Sequence, residues 1–252
     1  MLDLAEHQSS RWADLGLRAL SAAVLTPVAV ACVWIGGIAF TAIVAVMMIG
    51  LLVEWLMLCR HPPRIDPLHG SSPRGDGETL RMPPPLGLFS AGLLYVAVSG
   101  VALLWLRADP VAGRADVLFL LLIVWAGDIG AYTVGRWVGG PRLAPRISPG
   151  KTWSGAIGGL VTAVVVGLIA AHFLWQTTTV WPAAAIASVL SVVAQAGDLL
   201  ESFVKRRLAV KDSGHLIPGH GGLFDRLDGV LAAAPAAALL ALVVGRGVVL
   251  WQ

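Results

Sequence analysis

The chain alternates between long apolar runs and short polar stretches. The apolar runs occupy roughly 18–35, 38–59, 86–106, 116–138, 153–175, 180–204 and 229–251. Most are close to the ~20 residues that a helix needs to cross a hydrocarbon layer of about 30 Å. In lipid, backbone N–H and C=O groups must be satisfied within the segment, so such runs are expected as helices. The pattern predicts an all-α, polytopic integral membrane protein with about seven transmembrane helices. The first two runs abut at Gly36-Gly37, which predicts a tight helical hairpin. Pro27 and Pro235 fall inside runs, where neighbouring helices can satisfy the freed backbone.

Composition strengthens this picture. The chain is 57% hydrophobic and 13% charged, whereas soluble domains carry about 25% charged residues. Met1 to Leu17 holds three acidic residues and no basic start, unlike a cleavable signal peptide; it is expected on the membrane surface. The stretch 61–85 is rich in Pro, Gly, Ser and Arg and reads as a cytoplasmic linker. The expected organisation is a surface segment and helical hairpin over 1–60, that linker, and a membrane-embedded catalytic region over 86–252. Cys32 and Cys59 lie in or beside apolar runs and suggest neither a disulfide framework nor a metal site.

Charge sets an expected orientation. With the N-terminus inside and seven spans, 15 of the 18 Lys and Arg residues fall on the inner side, and only Arg107, Arg114 and Arg246 on the outer. That bias fits the positive-inside rule. The net charge of +3 therefore calls for no nucleic acid; basic loops facing anionic membrane lipids account for it.

The polar residues of the expected inner face collect in three stretches. These are Trp125–Gly155, Ala194–Arg207 and the loop "KDSGHLIPGHGGLFDRLDG" from Lys211 to Gly229. Asp128 and Asp198 lie inside apolar runs, where a carboxylate is costly and usually faces a cavity, a partner or an ion. Asp198 and Glu201 are spaced i, i+3, as are Asp225 and Asp228, so each pair shares a helix face. Plainer readings exist: Asp225 and Asp228 favouring a helix N-terminus, Asp198 paired with Lys205 or Arg206, Asp128 paired with Arg136. Clustered carboxylates suit Mg²⁺, clustered Lys and Arg suit phosphates, and glycines such as Gly219, Gly221 and Gly222 let backbone N–H groups approach an anion. All three on one membrane face point to phosphoryl or nucleotidyl transfer on a lipid. Gly150-Lys151-Thr152 looks like the end of a P-loop, but Pro145 stands where that motif needs glycine. His215 and His220 lack the cysteines of a zinc site and suit phosphate binding or loop orientation better.

The stretch "SFVKRRLAVKDSGHLIPGHGGLFDRLD", Ser202 to Asp228, resembles the signature of the phosphatidate cytidylyltransferase (CDP-diacylglycerol synthase) family. "GDIGAYTVGR" and "ISPGKTW" upstream resemble it too, in the right order. The resemblance covers about 120–250 and implies a membrane-embedded, Mg²⁺-dependent, often dimeric enzyme. It would make CDP-diacylglycerol and pyrophosphate from CTP and phosphatidate at the cytoplasmic side of a bacterial inner membrane. It assigns metal binding to Asp198 and Asp225, and catalysis to Lys205, Arg206, Lys211, Asp212, His220 and Arg226. Substrate binding would fall to Asp128, Ser148, Lys151, Thr152, Ser202, Gly221, Gly222 and Asp228. Ser154 departs from the longer polar residue usual after Lys-Thr-Trp. The chain is also short for the family, which implies one or two fewer N-terminal helices. The rival readings are a cytidylyltransferase for another lipid phosphate and a membrane cation or lipid transporter.

Overall fold

The computed structural model describes residues 23–60, 86–176, 179–208, 210, 213–214 and 222–252. The expected surface segment before residue 23 and the 61–85 linker lie outside the described residues. The protein is a polytopic all-α membrane protein. Among the described residues, after α1 (Ala23–Ile35), six helices are long and apolar enough to cross a membrane: α2 (Gly37–Arg60), α3 (Leu86–Arg107), α4 (Gly113–Val138), α5 (Trp153–Trp175), α6 (Val180–Arg207) and α7 (Phe224–Val244). Helix α1 parts from α2 at Gly36 and Gly37, whose φ angles of 70° and 53° lie in the left-handed region that glycine tolerates best.

Between α4 and α5 runs a short antiparallel hairpin, β1 (Arg142–Ala144) with β2 (Ser148–Thr152), in register Arg142↔Thr152 and Ala144↔Ser148. Hydropathy gives no hint of it. The last helix also departs from the expected 229–251. It begins at Phe224, because the polar signature itself forms the first turn, and ends at Val244. Gly245 and Gly247 then take φ of 104° and 80°. These glycines turn the chain, and the tail folds back so that Trp251 is fully buried.

Small residues let α4 and α5 pack closely. A Cβ on Gly159 would come within 2.7 Å of the Gly127 carbonyl, and one on Gly155 within 2.8 Å of the Ala131 carbonyl. Such close backbone approach is how helices gain packing energy in lipid, where apolar contact with a neighbour is no better than contact with acyl chains. A core of Phe119, Leu120, Ile123, Ala163, Ala187, Leu190 and Ala233 fills the centre.

The end of the bundle that carries the chain terminus is tied by polar contacts. Arg107 Nε donates to the Val33 carbonyl at 2.7 Å. The Arg114 guanidinium lies 4.7 Å from the Trp34 ring centroid, and that of Arg246 lies 4.9 Å from Trp105. Asp109 accepts from the N–H groups of Val111, Ala112 and Gly247 at 2.9, 2.9 and 2.7 Å, and Arg246 stands 3.6 Å from it. Asp116 accepts from Leu250 N–H at 3.0 Å, and Trp251 stacks on Phe119 at 4.1 Å. The three cations expected on the outer side thus gather at one end of the molecule.

Candidate active site

At the opposite end a cavity of about 600 Å³ opens between α4, the hairpin, α6 and α7. From α4 it receives Asp128, Tyr132 and Arg136; from the hairpin Arg142, Lys151 and Thr152. Helix α6 adds Gln195, Asp198, Glu201 and Lys205, and α7 adds Asp225, Arg226 and Asp228. The spacing explains the convergence. Asp198, Glu201 and Lys205 recur at i, i+3 and i+7 on one face of α6, as Asp225 and Asp228 do on α7.

The hairpin is a strap that delivers Lys151. Its base is closed by Trp153 N–H donating to the Pro141 carbonyl at 3.1 Å. Thr152 caps α5, its Oγ1 accepting from Gly155 N–H at 3.1 Å. Ser154 Oγ hydrogen-bonds to the Gly139 carbonyl and lies 3.0 Å from Thr152 Oγ1. Arg206 reaches across from α6 and donates through Nε to the Ile147 carbonyl in the hairpin turn at 3.2 Å. Lys151, on the second strand, pairs with Asp198 at 2.5 Å. Gly150-Lys151-Thr152 is thus strand and helix cap, and the partner of Asp198 is Lys151 rather than Lys205 or Arg206.

Lys205 bridges two carboxylates, Glu201 one turn away at 3.3 Å and Asp225 at 2.5 Å. The second oxygen of Asp225 accepts from Ser213 N–H and Gly222 N–H, both at 3.2 Å. Asp225 therefore joins α6 to both sides of the glycine-rich loop. A different set of carboxylates converges: oxygens of Asp198, Glu201 and Asp228 all lie within 4.8 Å of one another. Three carboxylates so close in an apolar bundle repel unless a cation or protons lie among them. All-oxygen donors suit a hard divalent ion such as Mg²⁺. The residues fit the metal that the resemblance implies, although the converging set differs from the expected pair by exchanging Asp225 for Glu201 and Asp228. The reason is local: the charge of Asp225 is already matched by Lys205 and two N–H groups.

Of the residues expected from sequence, Asp128, Lys151, Thr152, Asp198, Lys205, Asp225, Arg226 and Asp228 line the cavity. Arg206 binds the hairpin turn instead, and Gly222 serves through its N–H to Asp225. Ser148 and Ser202 are half-buried on β2 and α6, away from the cavity lining. Lys211, Asp212, His220 and Gly221 lie outside the described residues. Tyr132, Arg136, Arg142, Gln195 and Glu201 line the cavity without having been assigned. For Glu201 the i, i+3 spacing from Asp198 was the available signal. Glu54 on α2 was missed altogether: 1% exposed, it accepts from Leu223 N–H at 2.7 Å and Phe224 N–H at 2.9 Å.

Membrane-crossing helices with a ligand-sized cavity of facing carboxylates and cations at one end define a polytopic membrane protein with a polar site set in its helical bundle. Within that class, a family model described as "Cytidylyltransferase family" matches residues 85–244, more than half of the chain, and the chain belongs to that family. Several curated relatives carry the name phosphatidate cytidylyltransferase, three of them as follows. The protein of Brucella suis is 51% identical over 145 residues, covering 58% of this chain and 53% of the relative. That of Haemophilus influenzae is 45% identical over 155 residues, covering 59% and 54%. That of Mycobacterium leprae is 40% identical over 179 residues, covering 68% and 56%. The chain thus spans about half the length of the curated relatives it matches.

Proposed function

We propose that the protein is a CTP:phosphatidate cytidylyltransferase of a bacterial inner membrane, with its site facing the cytoplasm. The observation that carries the reading is the cavity itself. It sets Asp198, Glu201 and Asp228 against Lys151, Lys205, Arg136 and Arg226 at one end of a membrane-crossing bundle. The names of the relatives support the same substrates. A soluble triphosphate can enter such a site from water, and a lipid phosphate can enter from the adjoining leaflet.

In this reading a phosphate oxygen of phosphatidate attacks the α-phosphorus of CTP. A new P–O–P bond forms, and the bond from the α-phosphorus to the bridging oxygen breaks. Its electron pair leaves with pyrophosphate. The nucleophile is already anionic, so the site's work is to hold two anions together and to balance the leaving charge. Lys151 and Arg226 neutralise phosphate oxygens, and Lys205 is held at the cavity by its two carboxylates. Asp198, Glu201 and Asp228 would hold Mg²⁺, which when bound neutralises triphosphate charge. Asp225 fixes Lys205 and the glycine-rich loop. A homodimer belongs to the same reading and is checked by the mass of the detergent-solubilised protein.

The test is pyrophosphate release by purified protein given CTP, Mg²⁺ and phosphatidate. Release with equivalent formation of CDP-diacylglycerol is expected. Turnover only with another lipid phosphate would change the substrate, and cargo movement without pyrophosphate would make the protein a transporter. A reporter fused after Gln252 is expected on the external side, opposite the site.

A further inference from the structure

Glu54 stands apart from the cavity. It lies on α2, outside the matched residues 85–244, in an apolar helix where a carboxylate is costly to bury. Packing alone would be served better by an aliphatic residue. Its two oxygens are divided between adjacent donors, Oε1 to Leu223 N–H and Oε2 to Phe224 N–H. Both donors belong to the α7 N-terminus, whose first N–H groups have no partner within the helix and whose dipole favours a negative charge. Binding two neighbouring N–H groups at once fixes both the rotation and the axial position of the first turn. The next residues along that turn are Asp225, Arg226 and Asp228.

Two more contacts bear on the same point. A Cβ on Gly214 would approach Glu54 Oε1 to 3.1 Å, so the backbone at Gly214 rests on the carboxylate. Gly214 follows Ser213, whose N–H binds Asp225. Glu54 therefore touches the chain on both sides of the glycine-rich loop. Its neighbour Trp55 packs against Phe224, ring centroids 5.9 Å apart, and is itself held by Nε1 donating to the Phe89 carbonyl at 3.0 Å.

We infer that Glu54 is a positioning residue for the site: through the α7 N-terminus it sets where Asp225, Arg226 and Asp228 stand relative to α6. The inference rests on the proposed cytidylyl transfer for its kinetic consequence, but not for its structural one. The test uses the full chain in detergent and compares E54Q and E54D with L58A. Leu58 is buried in the same α2 cluster as Phe224, and L58A removes packing without removing a cap.

Amide hydrogen exchange of the segment 213–228 and steady-state kinetics are read together at matched loss of Tm. E54Q is expected to speed exchange at Gly222, Leu223 and Phe224 and to lower kcat by about tenfold or more. E54D, which keeps the charge on a shorter arm, should fall between E54Q and the wild type. L58A should leave exchange at 222–224 near the wild type. The double variant E54Q/D225N should turn over no more slowly than D225N, because both act on one loop. Equal exchange at 222–224 in E54Q and L58A, or independent losses in the double variant, would overturn the inference. Should E54Q fail to fold, the same comparison between E54D and L58A decides. A wild-type protein that releases no pyrophosphate would remove the proposed function and leave the exchange result standing.

Discussion

The two ends of the bundle use buried charge in opposite ways. At the terminus end each charged group has a defined partner. Asp109 serves three N–H groups and Arg246, Asp116 serves one N–H, and Arg107 and Arg114 close on the α1 end. At the cavity end Asp198 and Glu201 have Lys151 and Lys205 beside them, yet three carboxylates, Asp198, Glu201 and Asp228, still face one another around the cavity. A satisfied polar network rigidifies, whereas like charges gathered around a void cost stability that only a ligand returns. Buried charge alone therefore does not mark a site in this protein; like charges facing one another around a cavity do.

The sharpest way to break the comparison is to remove one crowded carboxylate. Asp228→Asn keeps the shape and an acceptor for its own Gly229 N–H, which now donates to Asp228 Oδ1 at 2.7 Å, but it relieves repulsion. Turnover should fall by at least about a hundredfold, roughly 2.7 kcal/mol in the barrier. The metal-free protein should melt no lower than the wild type, and the rise in Tm on adding Mg²⁺ should vanish. A lower Tm with an intact Mg²⁺ response would place Asp228 among structural groups like Asp116.

The terminus end should give the mirror result. Trp251→Ala empties a fully buried position against Phe119 and should cost about 3 kcal/mol of stability, while kcat of the folded fraction stays within about twofold. Acid probes the same end more gently. Burial by itself raises the Asp109 pKa, but its backbone donors and Arg246 outweigh it and hold the carboxyl below its usual value. A depressed folded-state pKa adds stability above the unfolded value of about 3.9, and that stability is lost as pH falls through the lower folded value. The protection of the tail amides 245–252, taken relative to their intrinsic exchange rate at each pH, should be constant between about pH 7 and 5 and should fall only below about 4. Asp109→Asn should flatten that acid limb. A fall already near pH 6 would show that the tail is governed by its other carboxylate tie, Asp116 to Leu250 N–H, rather than by Asp109.

How much of this was legible follows from which signals are local. The bounds of α2 to α6 were readable because helix length in lipid is set by apolar run length. The α7 start was misplaced at 229 by the apolar run, although the i, i+3 spacing of Asp225 and Asp228 already suggested a helix N-terminus there; the turn is held by Glu54, which the run does not reveal. The resemblance singled out Asp198, Lys205, Asp225, Arg226 and Asp228, and all five line one cavity. Their division of labour was hidden, because pairing Lys205 with Asp225 depends on how α6 meets α7. Glu54 was illegible as one acid in a greasy run, 169 positions from its nearer donor. The hairpin and the folded-back tail turn on glycines and tertiary hydrogen bonds that hydropathy does not report.

The smallest expected effect concerns Ser154, where the chain departs from the residue more usual in the family it resembles. Its hydroxyl is occupied at the base of the strap, bonded to the Gly139 carbonyl and beside Thr152 Oγ1. Neither partner is a charged group of the cavity. Thr152 still caps α5 through Gly155 N–H without it, and Trp153 N–H still binds the Pro141 carbonyl. Ser154→Ala therefore removes one of several ties on the hairpin and leaves Lys151 against Asp198. Loss of a single hydrogen bond is worth about 1 kcal/mol of stability, and turnover should fall by no more than about threefold, roughly 0.7 kcal/mol in the barrier. Steady-state kinetics beside a thermal melt check both numbers. A loss beyond about tenfold with an unchanged melt would mean that the hydroxyl acts on the reacting groups, and the strap would then belong to the chemistry rather than to its support.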